Sequence, residues 1–208
     1  MQRSSIGLIL AGGKARRFGG GKALATLKGK PLVFWVKEAL DQVCEEVWLS
    51  LRSLSQPEAH LQKCFARTVL DAQSGAGPLS GLLAALKNLD QNSYLLVASC
   101  DQPLLCPELL KNLKANFEKG NFWAVFCISP EGLPEPFPGV YDPKLAPSLE
   151  RFLSYGQKSV RKWLQSLPTE KILGLPWKLW YVWDQKGMSF ANVNYREDLE
   201  KLKRHFFL

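Results

Sequence analysis

Ser5-Ile-Gly-Leu-Ile-Leu-Ala-Gly-Gly-Lys-Ala-Arg-Arg-Phe-Gly-Gly-Gly-Lys22 opens on an apolar run and ends in glycines interleaved with cations. Ser5–Leu10, stopped by Gly12-Gly13, has the length and punctuation of a buried strand. Gly12 and Gly13 let the backbone turn sharply behind that strand and bring N–H groups close to anionic oxygens. Arg17 offers a planar fork for two phosphate oxygens, and Lys22 offers a movable point charge. The pattern is not a P-loop, because Ala23 follows Lys22 and Arg16 stands at the leading glycine position; nor is it G-x-G-x-x-G. Each charge-assisted hydrogen bond is worth roughly 1.5–3 kcal/mol, so about three or four of them hold a triphosphate at micromolar strength.

Charge is concentrated where this loop lies. The 208 residues carry 27 Lys/Arg against 19 Asp/Glu, a net charge of +8. Met1 to Lys37 holds eight of those cations and no carboxylate, and Glu38 is the first acid. Cations set among glycines suit a compact polyphosphate better than a duplex backbone, so nucleic acid is not the expected partner.

Outward from the loop, strands and helices alternate. Pro31 opens a helix with Leu32, Val36, Ala39, Leu40 and Val43 at helical spacing. Glu46–Leu51 and Thr68–Asp71 read as short strands, with residues 60–65 ambiguous between them. Pro78 starts a second helix, Tyr94–Ala98 is a strand buried on both faces, Pro107 starts a third helix that ends near Gly120, and Phe122–Ile128 is another strand. This succession implies an α/β fold whose parallel sheet is covered on both sides. From Glu131 onward Pro134, Pro136, Pro138 and Pro143 interrupt the pattern. Helical signals return at Pro147–Phe152 and Ser159–Leu167, strand-like stretches lie near Lys178–Trp183 and Phe190–Val193, and a basic helix spans Arg196–Phe207. One domain over 1–208 with an elaborated C-terminal third is the expected organisation.

Ligands of open α/β sheets sit outside the carboxyl ends of the strands, and the candidates here follow apolar runs in that way. Asp101 comes after Tyr94-Leu-Leu-Val-Ala-Ser-Cys, at the mouth of a buried strand facing a cationic loop. That is the natural anchor for Mg2+ bridging phosphates. Asp71 ends another short strand similarly, with a turn-stabilising role as the alternative. Gly75-Ala-Gly-Pro-Leu-Ser-Gly81, with Gly77 and Pro78 at its centre, forms a glycine-lined helix entrance able to admit a flat base.

Taken together these residues resemble the molybdenum cofactor guanylyltransferase family. The matching pieces are LAGGKARRFGGGK (Leu10–Lys22), GPLSG (Gly77–Gly81), CDQP (Cys100–Pro103) and FANVNYREDL (Phe190–Leu199), in family order across nearly the whole chain. The resemblance implies a Rossmann-like three-layer sandwich of nucleotidyltransferase type, with a mostly parallel central sheet. It implies transfer of a GMP moiety from GTP to the phosphate of molybdenum-bound molybdopterin, with release of pyrophosphate. By the same resemblance Leu10, Ala11, Gly12 and Lys22 contact the nucleotide, Asp71 lies near its base and ribose, Asp101 holds Mg2+, and Asn192 and Asn194 lie on the pterin side. Gly13, Gly77 and Pro78 join the nucleotide contacts, and Arg17, Lys22 and Asp101 are the expected catalytic residues. Residues 1–130 then form the nucleotide-binding part and 131–208 the second-substrate side.

Such a reaction brings two anions together and needs no covalent nucleophile, so positioning and positive charge carry the catalysis. Three positions depart from the family pattern. Gly21 stands where an Asp usually precedes the loop lysine, Glu135-Pro136 replaces His-Pro, and Tyr195-Arg196 replaces Thr-Pro after Asn194. Asn194 is also suited to capping the last helix. The residues alone leave open a cytidylyltransferase for the same pterin, a sugar-phosphate nucleotidyltransferase, or a non-catalytic nucleotide-binding protein that delivers cofactor to molybdoenzymes or other cofactor-biosynthesis proteins.

The remaining residues narrow the setting. Cys44, Cys64, Cys100, Cys106 and Cys127 are odd in number and contain no C-x-x-C, which points to reduced thiols, mostly buried, in a cytoplasmic protein. No apolar run approaches the ~18–20 residues of a membrane span, so no membrane partner is expected. Trp35, Trp48 and Trp123 read as core, whereas Trp177, Trp180 and Trp183 cluster with Lys178.

Overall fold

A computed structural model describes residues 3–13, 18–73, 75 and 77–206. In chain order, β1 (Ser4–Leu10) leads through the glycine loop to a small hairpin, β2 (Thr26–Leu27) and β3 (Lys30–Pro31), and then to α1 (Leu32–Asp41) and β4 (Glu46–Leu51). A 3-10 turn, Pro57–Cys64, fills the stretch that was ambiguous in sequence and delivers the chain to β5 (Arg67–Leu70). There follow α2 (Pro78–Asn88), β6 (Ser93–Ser99), α3 (Pro107–Lys119), β7 (Ala124–Ile128), β8 (Pro134–Tyr141), α4 (Ala146–Ser154), α5 (Val160–Gln165), β9 (Ile172–Leu175), α6 (Trp177–Trp180) and α7 (Arg196–Phe206).

Seven strands form one sheet in the order β5-β4-β1-β6-β8-β7-β9. Only β8 runs antiparallel to its neighbours β6 and β7; the pairs β1–β4, β1–β6, β4–β5 and β7–β9 are parallel. The pleat sorts side chains between the two faces. Ile9, Leu96 and Ala98 face α1 and α3, packing with Val33, Val36, Leu40, Leu109, Leu113 and Phe117. Leu8, Leu10, Leu95 and Val97 face α2, α4 and α5, packing with Leu82, Leu86, Leu149, Leu153 and Trp163. The result is the expected three-layer α/β sandwich around a mostly parallel sheet.

The C-terminal third departs from the sequence expectation in three places. The proline-rich stretch is a strand, and the prolines fall where β6 does not pair with it. β6 bonds β8 only through Gly139, Val140 and Tyr141. On the β7 side the register jumps from Cys127↔Glu135 to Phe126↔Gly139, leaving Pro136, Phe137 and Pro138 in a bulge that requires no ladder donor. Lys178–Trp183 is not a strand. Pro176 sets the start of a helical turn there, its carbonyl accepting from Leu179 and Trp180 N–H, and the strand in this region is β9 instead. Phe190–Val193 is not a strand either. Gly187 at φ 61 and the buried Asp184 carboxylate, which accepts from Met188 and Ser189 N–H, wind residues 188–190 into a 3-10 turn.

A third, smaller cluster binds the two ends of the described chain together. Phe18, Leu27 and Leu32 pack against Val193, Leu199 and Leu202, seating α7 beside the glycine loop and the β2–β3 hairpin. The cysteines are free thiols: Cys100 and Cys127 are buried, Cys44 and Cys106 half-buried, and Cys64 exposed. No described helix is long and apolar enough to cross a membrane.

Candidate active site

The strand order reverses between β1 and β6, the place where open α/β sheets bind ligands. A cavity of about 200 Å3 lies there, outside the carboxyl ends of the strands. Its walls include Leu10, Ala11, Gly12, Gly13, Lys22, Asp71, Gly77, Pro78 and Asp101, nine of the residues singled out in the sequence. Arg17 lies outside the described residues. Two close approaches shape the walls. A methyl group on Gly12 would sit 3.1 Å from both Arg52 N and Asp71 Oδ1, and one on Gly81 would run into Ser50 Oγ. Gly12 thus brings the loop against Asp71, and Gly81 brings α2 against β4.

Lys22 is the centre of the polar arrangement. Its Nζ donates to Asp101 Oδ2 at 2.6 Å and to Asn194 Oδ1 at 3.1 Å. The Lys22 and Asp101 side chains are only 15% and 13% exposed, so this pair lies largely out of water. Gly21, at φ 59, turns the chain into the short helix that carries Lys22. Asn192 is not part of this cluster; its amide donates to Phe190 O. The capping role considered for Asn194 is not what its side-chain oxygen does. The Asp198 carboxylate instead accepts from Asn194 and Tyr195 N–H, which frees Asn194 Oδ1 for Lys22.

Asp101 is held from both sides. Its carbonyl accepts from Val193 N–H at 2.9 Å, which ties the C-terminal segment to the mouth of β6. The neighbouring Gln102 is buried. Its Oε1 accepts from Ser99 N–H and its Nε2 donates to Phe137 O in the β8 bulge. Among the described residues nothing donates to Asp101 Oδ1, although that atom is buried. A buried carboxylate oxygen without a partner costs desolvation energy and fits a hard cation. No group of three or more His, Cys, Asp or Glu among the described residues could hold a metal. The Asp101 carboxylate fits a divalent cation through its unbonded Oδ1.

Burial pushes the Asp71 carboxyl up to about 6, against the opposing pull of Arg52 and the Ser50 hydroxyl. Cys100 also lines the cavity, but burial and the charge of Asp101 push its thiol up strongly, which keeps it protonated and inert as a nucleophile. Ser50 and Glu58 are among the cavity residues that escaped the sequence reading. Ser50 is the penultimate residue of β4, and Glu58 is 6% exposed on the 3-10 turn. Gln56 fastens that turn, donating to Glu58 Oε2 and Ala11 O and accepting from Arg52 N–H. Farther along the same edge of the sheet, half-buried Glu135 accepts from Arg161 at 2.9 Å where the family has His.

Known proteins resemble this chain in sequence and fold. Residues 7–171 match the MobA-like NTP transferase domain. The molybdenum cofactor guanylyltransferase of Shewanella sediminis is 33% identical over 75% of this chain and 78% of its own. That of Polynucleobacter asymbioticus is 31% identical over 95% and 94%. The crystal structure of molybdopterin-guanine dinucleotide biosynthesis protein A from Archaeoglobus fulgidus superposes with a TM-score of 0.81 at 27% identity, covering 96% of this chain and 97% of that one. With a switch-point cavity, a glycine-cation loop and likeness to the last two of these proteins over at least 94% of each chain, the chain is a nucleotidyltransferase that belongs to the MobA-like NTP transferase domain family.

Proposed function

We propose that this chain transfers the GMP moiety of GTP to the phosphate of molybdenum-bound molybdopterin, forming the guanine dinucleotide cofactor and releasing pyrophosphate. The observation that carries the reading is the meeting of Lys22, Asp101 and Asn194 at the switch point, with Asp101 Oδ1 buried and unbonded beside them. It brings a cation, a metal-type acceptor and a residue of the closing N-x-N motif to one point. The named relatives supply the two substrates.

In this reading the base and ribose lie toward Asp71, Gly77 and Pro78, and Leu10, Ala11, Gly12 and Gly13 lie along the phosphates. An acceptor phosphate oxygen attacks the α-phosphorus, the bond to the bridging oxygen breaks, and pyrophosphate leaves. Lys22 and Arg17 supply positive charge as it develops, and Lys22 leaves Asp101 to do so. Asn192 and Asn194 stand on the pterin side, with residues 131–208 forming that half of a single domain. Asp101 would hold Mg2+, which when bound neutralises charge on the phosphate oxygens.

A thermal-shift panel with GTP, CTP, ATP and UTP, each with Mg2+, tests the nucleotide half. A ligand at 100 times its Kd adds ~2.7 kcal/mol, a midpoint shift of roughly 5–10 °C for a chain of this size. A shift with GTP alone, followed by pyrophosphate release on adding the loaded pterin, is the expected result. A shift with CTP alone moves the chain to the cytidylyl branch.

A further inference from the structure

Outside the nucleotide cavity, on the other side of the glycine turn, lies a larger groove of about 790 Å3. One wall is the turn itself, Gly20 and Gly21, and the other is α7 with Arg196, Lys203 and Arg204. Arg196 reaches the loop. Its guanidinium carbon is 5.6 Å from the centre of the Phe18 ring, and its Nη2 is 4.0 Å from where a Cβ on Gly19 would stand. The cluster of Phe18, Leu27, Leu32, Val193, Leu199 and Leu202 holds the helix that carries Arg196 in this place. Two residues earlier, Asn194 is bonded to Lys22. Arg196 and Lys22 thus approach the same turn from its two sides.

We infer that Arg196 binds the β- and γ-phosphates of the nucleotide and the pyrophosphate they become. The inference rests on the nucleotidyl-transfer reading, adds a residue to it, and assigns the start of α7, within the 131–208 half, to the nucleotide's phosphates rather than to the pterin. A tail that continues past Lys22 along the glycine turn reaches a groove with four cations, Arg196, Lys201, Lys203 and Arg204, against two carboxylates, Glu197 and Glu200. Glu200 already pairs with Lys203 at 2.7 Å. Gly21 adds no carboxylate to repel the tail, and residues 1–37 contain none. Arg is the side chain whose planar fork matches two phosphate oxygens at once, and the face of Phe18 orients that fork without using its donors.

The test separates tail recognition from recognition of the rest of the nucleotide. Affinities for GTP, GMP and inorganic pyrophosphate are measured by calorimetry on the wild type, Arg196→Gln and Arg196→Lys. Gln keeps part of the stem over Phe18 and removes the charge; Lys keeps the charge and loses the fork. Arg196→Gln is expected to weaken GTP and pyrophosphate about ten-fold or more while GMP changes less than about two-fold, with Arg196→Lys intermediate. Equal losses for GTP and GMP would make Arg196 a support of the loop and overturn the inference. Unchanged pyrophosphate affinity overturns it as well, and leaves the guanylyl reading standing if GTP still binds. Failure of the wild type to bind guanine nucleotides sinks the guanylyl reading alone, provided Arg196→Gln still weakens pyrophosphate.

Discussion

Asp71→Asn should stabilise the protein at neutral pH and have no effect on stability in acid. The Asp71 carboxyl ionises near 3.8 in an unfolded chain and near 6 in the folded one, because burial disfavours its charge. Between those values the native state binds the extra proton. Stability is therefore highest below about pH 4 as far as this group is concerned, falls as pH rises through 4 to 6, and stays reduced above. At 1.36 kcal/mol per pH unit the interval amounts to roughly 3 kcal/mol. Access of water to the half-buried carboxylate lowers that to about 1–2 kcal/mol. Asn keeps the shape and abolishes the ionisation, so at pH 7.5 the variant should melt roughly 3–6 °C above the wild type. At pH 4, where wild-type Asp71 is protonated, the two curves should coincide. The assay is a pair of thermal melts at half-unit intervals from pH 4 to 8. A gap that is constant with pH, or that grows toward acid, would refute the assignment of the penalty to a desolvated carboxylate. On the proposed reading, which puts the ribose toward Asp71, the same variant should bind nucleotide more weakly at pH 7.5.

Two further predictions concern the cavity and its support. Asp101→Ala should fold, with a midpoint within a few degrees of wild type, since it removes an ion pair and a buried unpartnered oxygen together; turnover should drop about 10²–10³-fold, equivalent to roughly 3–4 kcal/mol. Near-normal pyrophosphate release from that variant would take Asp101 out of the chemistry. Gly81→Ala should cost about 1–3 kcal/mol in urea denaturation, because its methyl meets Ser50 Oγ in a closely packed contact between α2 and β4; an unchanged midpoint would show that α2 shifts freely.

The first two thirds of the fold were legible because each element carries its own signal. β1 and β6 are continuous apolar runs, and α2 and α3 each begin at a proline in the first turn. The proline-rich β8 was hidden because prolines deny a strand only where a neighbour needs the N–H, and that depends on how far β6 extends. The aromatic stretch 178–183 looks strand-like from composition, and Pro176 decides otherwise. At the site, the glycine loop, Asp71 and Asp101 announce themselves by following strands. Glu58 has no such marker: its burial depends on Gln56 reaching Ala11, a contact between segments 45 residues apart. The bond from Lys22 to Asn194 spans 172 residues and is likewise invisible to local pattern.

That span has a kinetic meaning. The two sheet-facing cores can assemble from strand–helix neighbours, but the cluster of Phe18, Leu27, Leu32, Val193, Leu199 and Leu202 closes a loop across most of the chain. Its closure entropy falls due before its contacts form, which makes it a late event in folding. Of the described side chains of the helix, only Leu199 and Leu202 are buried in this cluster, a small hold beside the two larger cores. We therefore predict that the last helix opens and recloses as a unit while the sheet stays intact, which amide hydrogen exchange along α7 and β1 would check. On that prediction the charged mouth of the site is finished last in folding and released first in local opening.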